Sequence, residues 1–348
     1  MNTKTFIGLI VVLLIGAGFY YLSSSNTSIN TSDSIGSPIV PGLLDAVNDI
    51  SVIKVTKAGN EVVATLKAND GGWVVAERND YPADVSKVRT IALALAQANI
   101  IEEKTSNPTL YNKLGVENID QPEAQGMLVE VDYGNRSNAL IVGNPGPQLN
   151  KNRYVRLVES DTSWLVDKKI DVKHDTAFWV RKDLFSVEPN EVAVVTITMP
   201  DNSELIIKNS NPEEDTFVVA NLSDPNSQVI DAELHQVTNA LSSFQLLDVV
   251  KAENFLDAEP TMVVDYQLKQ GADIKLTAYA VDKDHFMSID VKQANPESGI
   301  EIDETTKQFV ADLQSKTSGW VFKIPNVSYD SMYKREPDVL AITEDQLN

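Results

Sequence analysis

Side chains suited to acid–base or metal chemistry near neutral pH are few and scattered in this sequence. The three histidines are His174, His235 and His285, and none lies in an H-E-x-x-H pattern or another spacing typical of metal ligands. The chain has no cysteine, which excludes disulfides, thiolate zinc sites, cysteine nucleophiles and a lipid anchor on cysteine. No G-x-S-x-G motif occurs either. We therefore predict no catalytic residue, no metal ligand and no cofactor, and interpret the histidines as surface or structural polar residues.

Two further kinds of motif could bind a ligand. Asp282-Lys-Asp284 and Glu213-Glu214-Asp215 group carboxylates, so weak calcium binding is the alternative to solvated turns, but neither has the spacing of an EF-hand. Gly143-Asn-Pro-Gly-Pro147 is glycine-rich, yet it lacks the Lys-Ser/Thr of a phosphate loop, and its prolines remove amide donors. We interpret it as a hairpin-type turn, with a partner-binding loop as the alternative.

The tryptophans offer the one candidate for partner binding. Most of the four occupy strand positions that recur along the chain, which favours packing in a core. Trp179 stands beside Arg181 and Lys182, and tryptophan and arginine dominate the energetics of many protein interfaces. We predict a possible partner-binding site at these three residues, with core packing of Trp179 as the alternative.

Composition limits the classes of partner. The chain has 348 residues, 43% hydrophobic and 23% charged, enough for one large core or two ordinary ones. Its net charge is −21 and its pI is about 4.5. Such an acidic chain is poorly suited to nucleic acid, whose phosphates require a basic surface, or to lying flat on an anionic membrane.

The N-terminus predicts a membrane anchor. Lys4 precedes Phe6 to Leu22, a run of 17 residues without a charge, and a helix of that length spans about 26 Å. The next basic residue is Lys54, so the positive-inside rule leaves only the first residues in the cytoplasm. The small residues Ser23-Ser24-Ser25 leave a cleaved signal peptide as the alternative. We expect a single-pass protein of the inner (cytoplasmic) membrane with the bulk of the chain in the periplasm.

Two stretches of the sequence resemble each other. Residues 50–75 predict three short strands, with a turn at Ala58-Gly59-Asn60 and a last strand around Trp73. Residues 192–219 repeat the pattern, with Asp201-Asn202 at the first turn. A helix is predicted after each stretch, the first opened by Tyr81-Pro82 and the second capped by Asp231. The two predicted buried stripes have the same spacing: Val85, Val88, Ala92 and Leu95, then Leu234, Val237, Leu241 and Phe244.

This recurrence predicts an α+β fold of two duplicated units, each an antiparallel sheet with a helix packed on one face, preceded by one N-terminal transmembrane helix. The predicted domains are the anchor at residues 1–22, a flexible linker at 23–44, a first unit at 45–186, a second at 187–337 and an acidic tail at 338–348.

Several of these motifs together resemble domain-of-unknown-function family 4340. They are the anchor, the ISVIKVTKAGNEVVATLKANDGGWVV opening, the YPADVSKV helix start, and the LIVGNPGP loop followed by YVRL and SWLVD. The resemblance covers Ile50 to about Phe185 well and the second unit loosely. It implies an envelope protein, often encoded beside ABC-type export systems, including those linked to gliding motility. The resemblance carries over no catalytic residue and implies an accessory or scaffold role.

Two functions follow as expectations. The first is a non-enzymatic, membrane-anchored periplasmic accessory or scaffold protein, which binds a membrane protein of an ABC-type export system. The alternative is a periplasmic binding module for a sugar, lipid or peptide in the cleft between the two repeats.

Overall fold

The structure, a computed structural model, describes residues 34–149, 151–211, 215–242, 244–295 and 300–341. This part of the chain is mixed α/β and consists mostly of strands, with few helices. In chain order the strands are β1 (Ile50–Lys57), β2 (Glu61–Asn69), β3 (Gly72–Val75), β4 (Tyr81–Pro82), β5 (Ile100–Glu103), β6 (Met127–Tyr133), β7 (Arg136–Pro145), β8 (Arg153–Leu157), β9 (Ser163–Val166), β10 (Val192–Thr198), β11 (Glu204–Asn211), β12 (Thr216–Val219), β13 (Asp248–Lys251), β14 (Met262–Leu268), β15 (Ala272–Val281), β16 (Asp284–Gln293) and β17 (Trp320–Ile324). The helices are α1 (Val85–Ala96), α2 (Tyr111–Leu114), α3 (Asp231–Thr238), α4 (Glu304–Thr317) and α5 (Asn326–Met332).

The chain divides into two compact units. The first comprises the described residues up to Glu77 together with Val85–Trp179, and the second comprises Arg78–Asp84 together with the described residues from Val180 onward. The boundary thus lies at 179/180, whereas the sequence predicted 186/187, and the short segment that contains β4 is grouped with the second unit. The sequence pattern does not predict that Arg78–Asp84 is grouped with a different unit from the residues on either side of it in the chain.

Each unit holds eight antiparallel strands in one sheet. The order in the first is β3-β2-β1-β6-β7-β8-β9-β5, and in the second it is β12-β11-β10-β14-β15-β16-β17-β13. Numbered within each unit, these orders are the same. The strands form where residues of alternate polarity occur: in β6, Met127, Val129, Val131 and Tyr133 are buried, and the residues between them are half-buried.

In the first unit, the core lies on one face of the sheet. Its strands contribute inward residues such as Ile53, Leu66 and Val129, which are fully buried. Helix α1 lies against β3 and buries Val88, Ile91, Ala92 and Leu95. The prediction that Val85 belongs to the buried stripe is wrong, because this residue begins the helix and is 56% exposed. Tyr81-Pro82 forms β4 rather than the helix start.

In the second unit, helices cover the face of the sheet that carries Val264, Tyr266 and Met287. The hydroxyl of Tyr266 donates to the carbonyl of Val237 at 2.9 Å, which joins β14 to α3. Helix α4 packs against β16, where the Gln314 amide donates to the Val291 carbonyl at 2.9 Å.

The second predicted stripe is buried in full, but it is not a helical stripe throughout. Leu234 and Val237 lie in α3, which ends at Thr238, so Leu241 and Phe244 are buried from the turn and the extended chain that follow. The N-cap of α3 is Ile230, with no side-chain cap, so the prediction that Asp231 caps it is wrong. The predicted turn at Asn202 is present, with φ 62°. Gly115 ends α2 in the left-handed conformation, which glycine adopts readily.

The structure describes the end of the predicted linker and the start of the predicted acidic tail, and both contain buried residues. Ile39, Val40 and Leu43 are fully buried, so the flexible linker predicted at 23–44 does not extend to Leu44. At the other end Val339 is buried and Leu340 bridges Val229, so the acidic tail does not begin at Asp338. None of the helices in the described ranges combines the length and apolarity needed to cross a bilayer. The predicted anchor, residues 6–22, lies outside those ranges.

Candidate interaction surface

The outer face of the second sheet carries apolar side chains at one end. Tyr279 of β15 is paired with Phe286 of β16, and the ring of Phe255 lies 5.1 Å from both rings. All three are half-buried. Val281 follows Tyr279 at two residues along the same strand, hence on the same face, and is 45% exposed. Leu256, beside Phe255, is 82% exposed. We call these five residues the aromatic face.

The aromatic face exists because neighbouring residues of a strand point to opposite sides of the sheet. His285 precedes Phe286 and stacks on Tyr329 of α5 at 3.8 Å, on the side that the helices cover. Ala278 precedes Tyr279 and is fully buried. Phe286 and Tyr279 therefore stand on the side away from the helices.

The first unit covers the equivalent part of its own sheet. There the connection between β5 and β6 runs through residues 104–126 and lays Tyr111 and Val116 onto Ile141 of β7 in a small buried cluster. Arg156 supports this cover, because its Nε donates to the Val116 carbonyl at 2.9 Å and its guanidinium lies 4.7 Å from the centre of the Tyr111 ring. The corresponding connection in the second unit spans only residues 252–261, and Phe255 is its one aromatic side chain.

The rim of the aromatic face is acidic. The chain around Phe255 and Leu256 carries exposed Glu253, Asp257 and Glu259. The turn after Val281 adds Asp282 and Asp284 with a single lysine, Lys283. Asp284 forms an ion pair with Lys323 at 2.6 Å. An apolar centre with a polar or charged rim is the general anatomy of protein–protein interfaces.

The predicted partner-binding residues are placed differently from one another. Trp179 is 1% exposed, with its ring packed edge-on against Phe178 at 5.0 Å, so the surface role predicted for it is wrong and core packing is correct. Arg181 and Lys182 are half-exposed and belong to the second unit, whereas Trp179 belongs to the first. The backbone of Arg181 donates to the Pro82 carbonyl at 2.9 Å. Partner binding by Arg181 and Lys182 stays a prediction.

The histidines occupy separate places. His174 is exposed in the first unit. In the second unit, His235 lies on α3 with its ring edge-on to Phe217 at 6.2 Å, and His285 Nδ1 lies 3.0 Å from the Asn326 side-chain oxygen. Across the described ranges, no group of three or more acidic, histidine or cysteine side chains is arranged to hold a metal ion.

The Gly143–Pro147 stretch differs from its predicted form. Strand β7 continues to Pro145, with a register shift between Val142 and Pro145, and the chain turns only after that. Gly143 is required by close packing, because a Cβ there would collide with the Leu114 carbonyl and lie 2.8 Å from Val116 Cγ1. The prediction of a hairpin-type turn at these residues is therefore wrong for Gly143 to Pro145.

Sequence reasoning missed the aromatic face, although a signal was present. In β15 the residues on the parity of Tyr279 are Asp273, Lys275 and Thr277, which identify the solvent side of the strand. Tyr279 is an aromatic residue on this otherwise polar side of β15, and Phe286 lies opposite it on the next strand. Such a pair indicates an exposed apolar patch.

These features define a mixed α/β protein built mostly from two large antiparallel sheets. The chain belongs to the family described as Domain of unknown function (DUF4340), whose model matches residues 73–271, more than half of the chain. The resemblance predicted from the sequence is thereby confirmed, and the match reaches further into the second unit than the motifs indicated. No curated protein and no solved structure matches the chain.

Proposed function

We propose that this protein is a non-enzymatic, membrane-anchored periplasmic accessory or scaffold protein that binds a membrane protein of an ABC-type export system. The observation that carries the proposal is the aromatic face. Leu256 and Val281 expose apolar surface next to three aromatic rings, and such patches are typical of protein interaction sites. The acidic rim specifies a partner surface with an apolar centre framed by lysine and arginine.

The membrane location rests on the sequence. Lys4 and the uncharged run from Phe6 to Leu22 support an anchor with the remaining chain on the periplasmic side. An anchor raises the local concentration of the protein beside a membrane-embedded partner, so that contacts of modest affinity are sufficient. The export system itself is proposed from the family resemblance.

We also infer that the two units are duplicated copies, each an antiparallel sheet with a helix packed on one face. The shared strand order and the related stretches at 50–75 and 192–219 support this inference. The copies then differ where it matters for binding: the first covers its outer face with residues 104–126, and the second leaves the aromatic face exposed. After duplication, one copy could acquire a partner while the other kept a closed face.

The test compares two substitutions in the second unit. Leu256→Glu adds a charge to the aromatic face at a side chain that is 82% exposed, so folding does not depend on it. Val327→Glu is the matched control, because Val327 is 74% exposed on α5, on the opposite side of the sheet.

The chain and its neighbours are cross-linked in cells, and the protein is purified from the membrane fraction with its bound proteins. We expect Leu256→Glu to lower recovery of an ABC-system membrane protein by about tenfold, since a charge in an interface core costs more than about 1.4 kcal/mol, and Val327→Glu to recover it at the native level. Equal recovery with both variants, or absence of the chain from the membrane fraction, would refute the proposal.

A further inference from the structure

The first unit contains a polar concavity of about 160 Å³ beside the end of β7. Its wall is formed by Gly143 to Pro145, by Arg153 at the start of β8, and by a later segment that contributes Ile170, Asp171, Val172 and His174. Met127 and Val142 close it from the side of the sheet. Its volume suits a ligand of a few to about a dozen non-hydrogen atoms, well below the size of a drug-like site.

Arg153 is the unusual residue of this concavity. A guanidinium has five N–H donors, and within the described ranges Arg153 makes one hydrogen bond, from Nη1 to the Gly143 carbonyl at 3.5 Å. That distance exceeds the usual range for such bonds. Its Nε is buried without a hydrogen-bond partner. Donors of a charged group are costly to leave unsatisfied. Arg153 lines the concavity, so the N–H groups of its Nη atoms without a partner in the described chain are available to an acceptor there.

Arg156, three residues later on β8, is an arginine of the same unit whose side-chain nitrogens all have hydrogen-bond partners. Its three nitrogens donate to the Val116 carbonyl at 2.9 Å, to the Ser160 carbonyl at 3.2 Å and to the Asn118 side chain at 2.5 Å. Burial lowers the pKa of both arginines from the usual value. Burial therefore acts on Arg153 too, but without the hydrogen bonds that Arg156 makes.

The charges around the concavity favour an anion. Asp171 is the carboxylate in its wall, and Lys173 and Lys169 hold it at 3.2 Å and 3.6 Å. No ion pair within 4 Å joins Arg153 to a carboxylate of the described chain. Lys169 and Lys173 thus pair with the carboxylate of the wall, whereas the guanidinium of Arg153 in the same wall has no such pair within the described ranges.

We propose that this concavity binds a small oxyanion, a carboxylate or a phosphate, through the guanidinium of Arg153. The planar fork of N–H donors matches two oxygens of such a group. The Asn144 side-chain amide, which donates to Gln125 at the long distance of 3.4 Å, is a second donor at the wall. This binding site is independent of the aromatic face, which belongs to the other unit.

The test titrates the full chain in detergent with acetate and, separately, with inorganic phosphate at constant ionic strength. Selective labelling allows the backbone amide resonances of Gly143 and Asn144 to be followed by NMR. We expect saturable shifts with at least one of the anions. Acetate alone would identify a carboxylate site, and phosphate alone would identify a phosphate site.

Three variants make the test specific. Arg153→Gln should weaken binding by about tenfold or more, because it removes a charge-assisted pair of hydrogen bonds. Asp171→Asn keeps the fork and removes the opposing charge, so it should strengthen binding by about two- to fivefold. Arg136→Gln, at an exposed arginine of the same unit, should change nothing.

Absence of a saturable shift with both anions would overturn the proposal. Native-like binding by Arg153→Gln would overturn it as well. If Arg153→Gln fails to fold, Asp171→Asn decides, because unchanged or weaker anion binding in that variant contradicts an electrostatic site at Arg153.

Discussion

Leu241→Ala tests whether the second unit depends on apolar residues that its sequence places in one buried stripe. Leu241 is fully buried, in the turn after α3, and its carbonyl accepts a hydrogen bond from the Val187 amide at 3.2 Å. Truncation to alanine removes three carbons. At about 0.8 kcal/mol for each buried methylene, the lost transfer free energy is about 2.4 kcal/mol. The cavity left behind adds to this, so the free energy of unfolding should fall by about 2–5 kcal/mol.

The measurement must resolve the two units, because a chain with two compact units need not unfold in one transition. Hydrogen exchange of the β14 amides reports the opening free energy of the second unit, and exchange of the β6 amides reports that of the first. We expect Leu241→Ala to accelerate exchange in β14 while exchange in β6 stays the same. Leu256→Ala is the control, since at 82% exposure it should change the free energy of unfolding by no more than about 0.5 kcal/mol. If the two variants exchange alike in β14, the buried stripe does not stabilise the unit as argued.

Two further predictions concern other parts of the fold. Gly143→Ala should destabilise the first unit by about 1–3 kcal/mol, because the added Cβ meets the backbone of a packed segment. Gly71→Ala is the control and should be tolerated, because its Cβ would have only Asn69 Oδ1 nearby, at 3.5 Å. Thermal unfolding compares the two variants, and equal melting temperatures would contradict the packing argument. Hydrogen bonds from Ser203 and then from Arg335 hold the pKa of Asp201 well below its usual range. Because the pKa of Asp201 is lowered in the folded state, its ionised carboxylate stabilises the fold above the ordinary pKa of about 4, and this contribution declines as pH falls below that value toward the folded-state pKa. Exchange of the Ser203 amide, corrected for intrinsic rates, should therefore become faster below about pH 4 in the native chain. In Asp201→Asn it should be insensitive to pH.

Local sequence determined the elements of this protein well. Polarity alternates through the whole of β6, Met127–Tyr133, and α4 begins at Glu304 directly after Asp303, whose side chain caps the helix by accepting from the Thr306 amide. Glycine at position 115 marked the end of α2 because it accepts the left-handed conformation, here with φ 67°. These features depend on residues within a few positions of one another, so pattern and propensity contain the needed information.

The limits of helices and the burial of single residues depended on tertiary contacts. The spacing of Leu234, Val237, Leu241 and Phe244 is helical, yet only the first two lie in α3. The other two reach the core from a turn and an extended segment, because a core accepts apolar side chains from any backbone that delivers them. Trp179 stands beside basic residues in the sequence, but the fold buries it beside Phe178. The residues adjacent to a side chain in the sequence do not show whether another element of the fold will pack over it.

Both candidate binding regions were decided by contacts between residues that are distant in the sequence. The aromatic face brings Phe255 onto Tyr279 and Phe286, and it stays exposed because the connection before β14 is too short to cover it as residues 104–126 cover the first sheet. The concavity sets Arg153 beside Gly143 through the pairing of β7 with β8. The sequence by itself determined the strands and their inward faces, since these follow from local alternation. Tertiary structure decided which outward faces were covered and which donors lacked a partner, since both depend on strand register and on the path of distant connections.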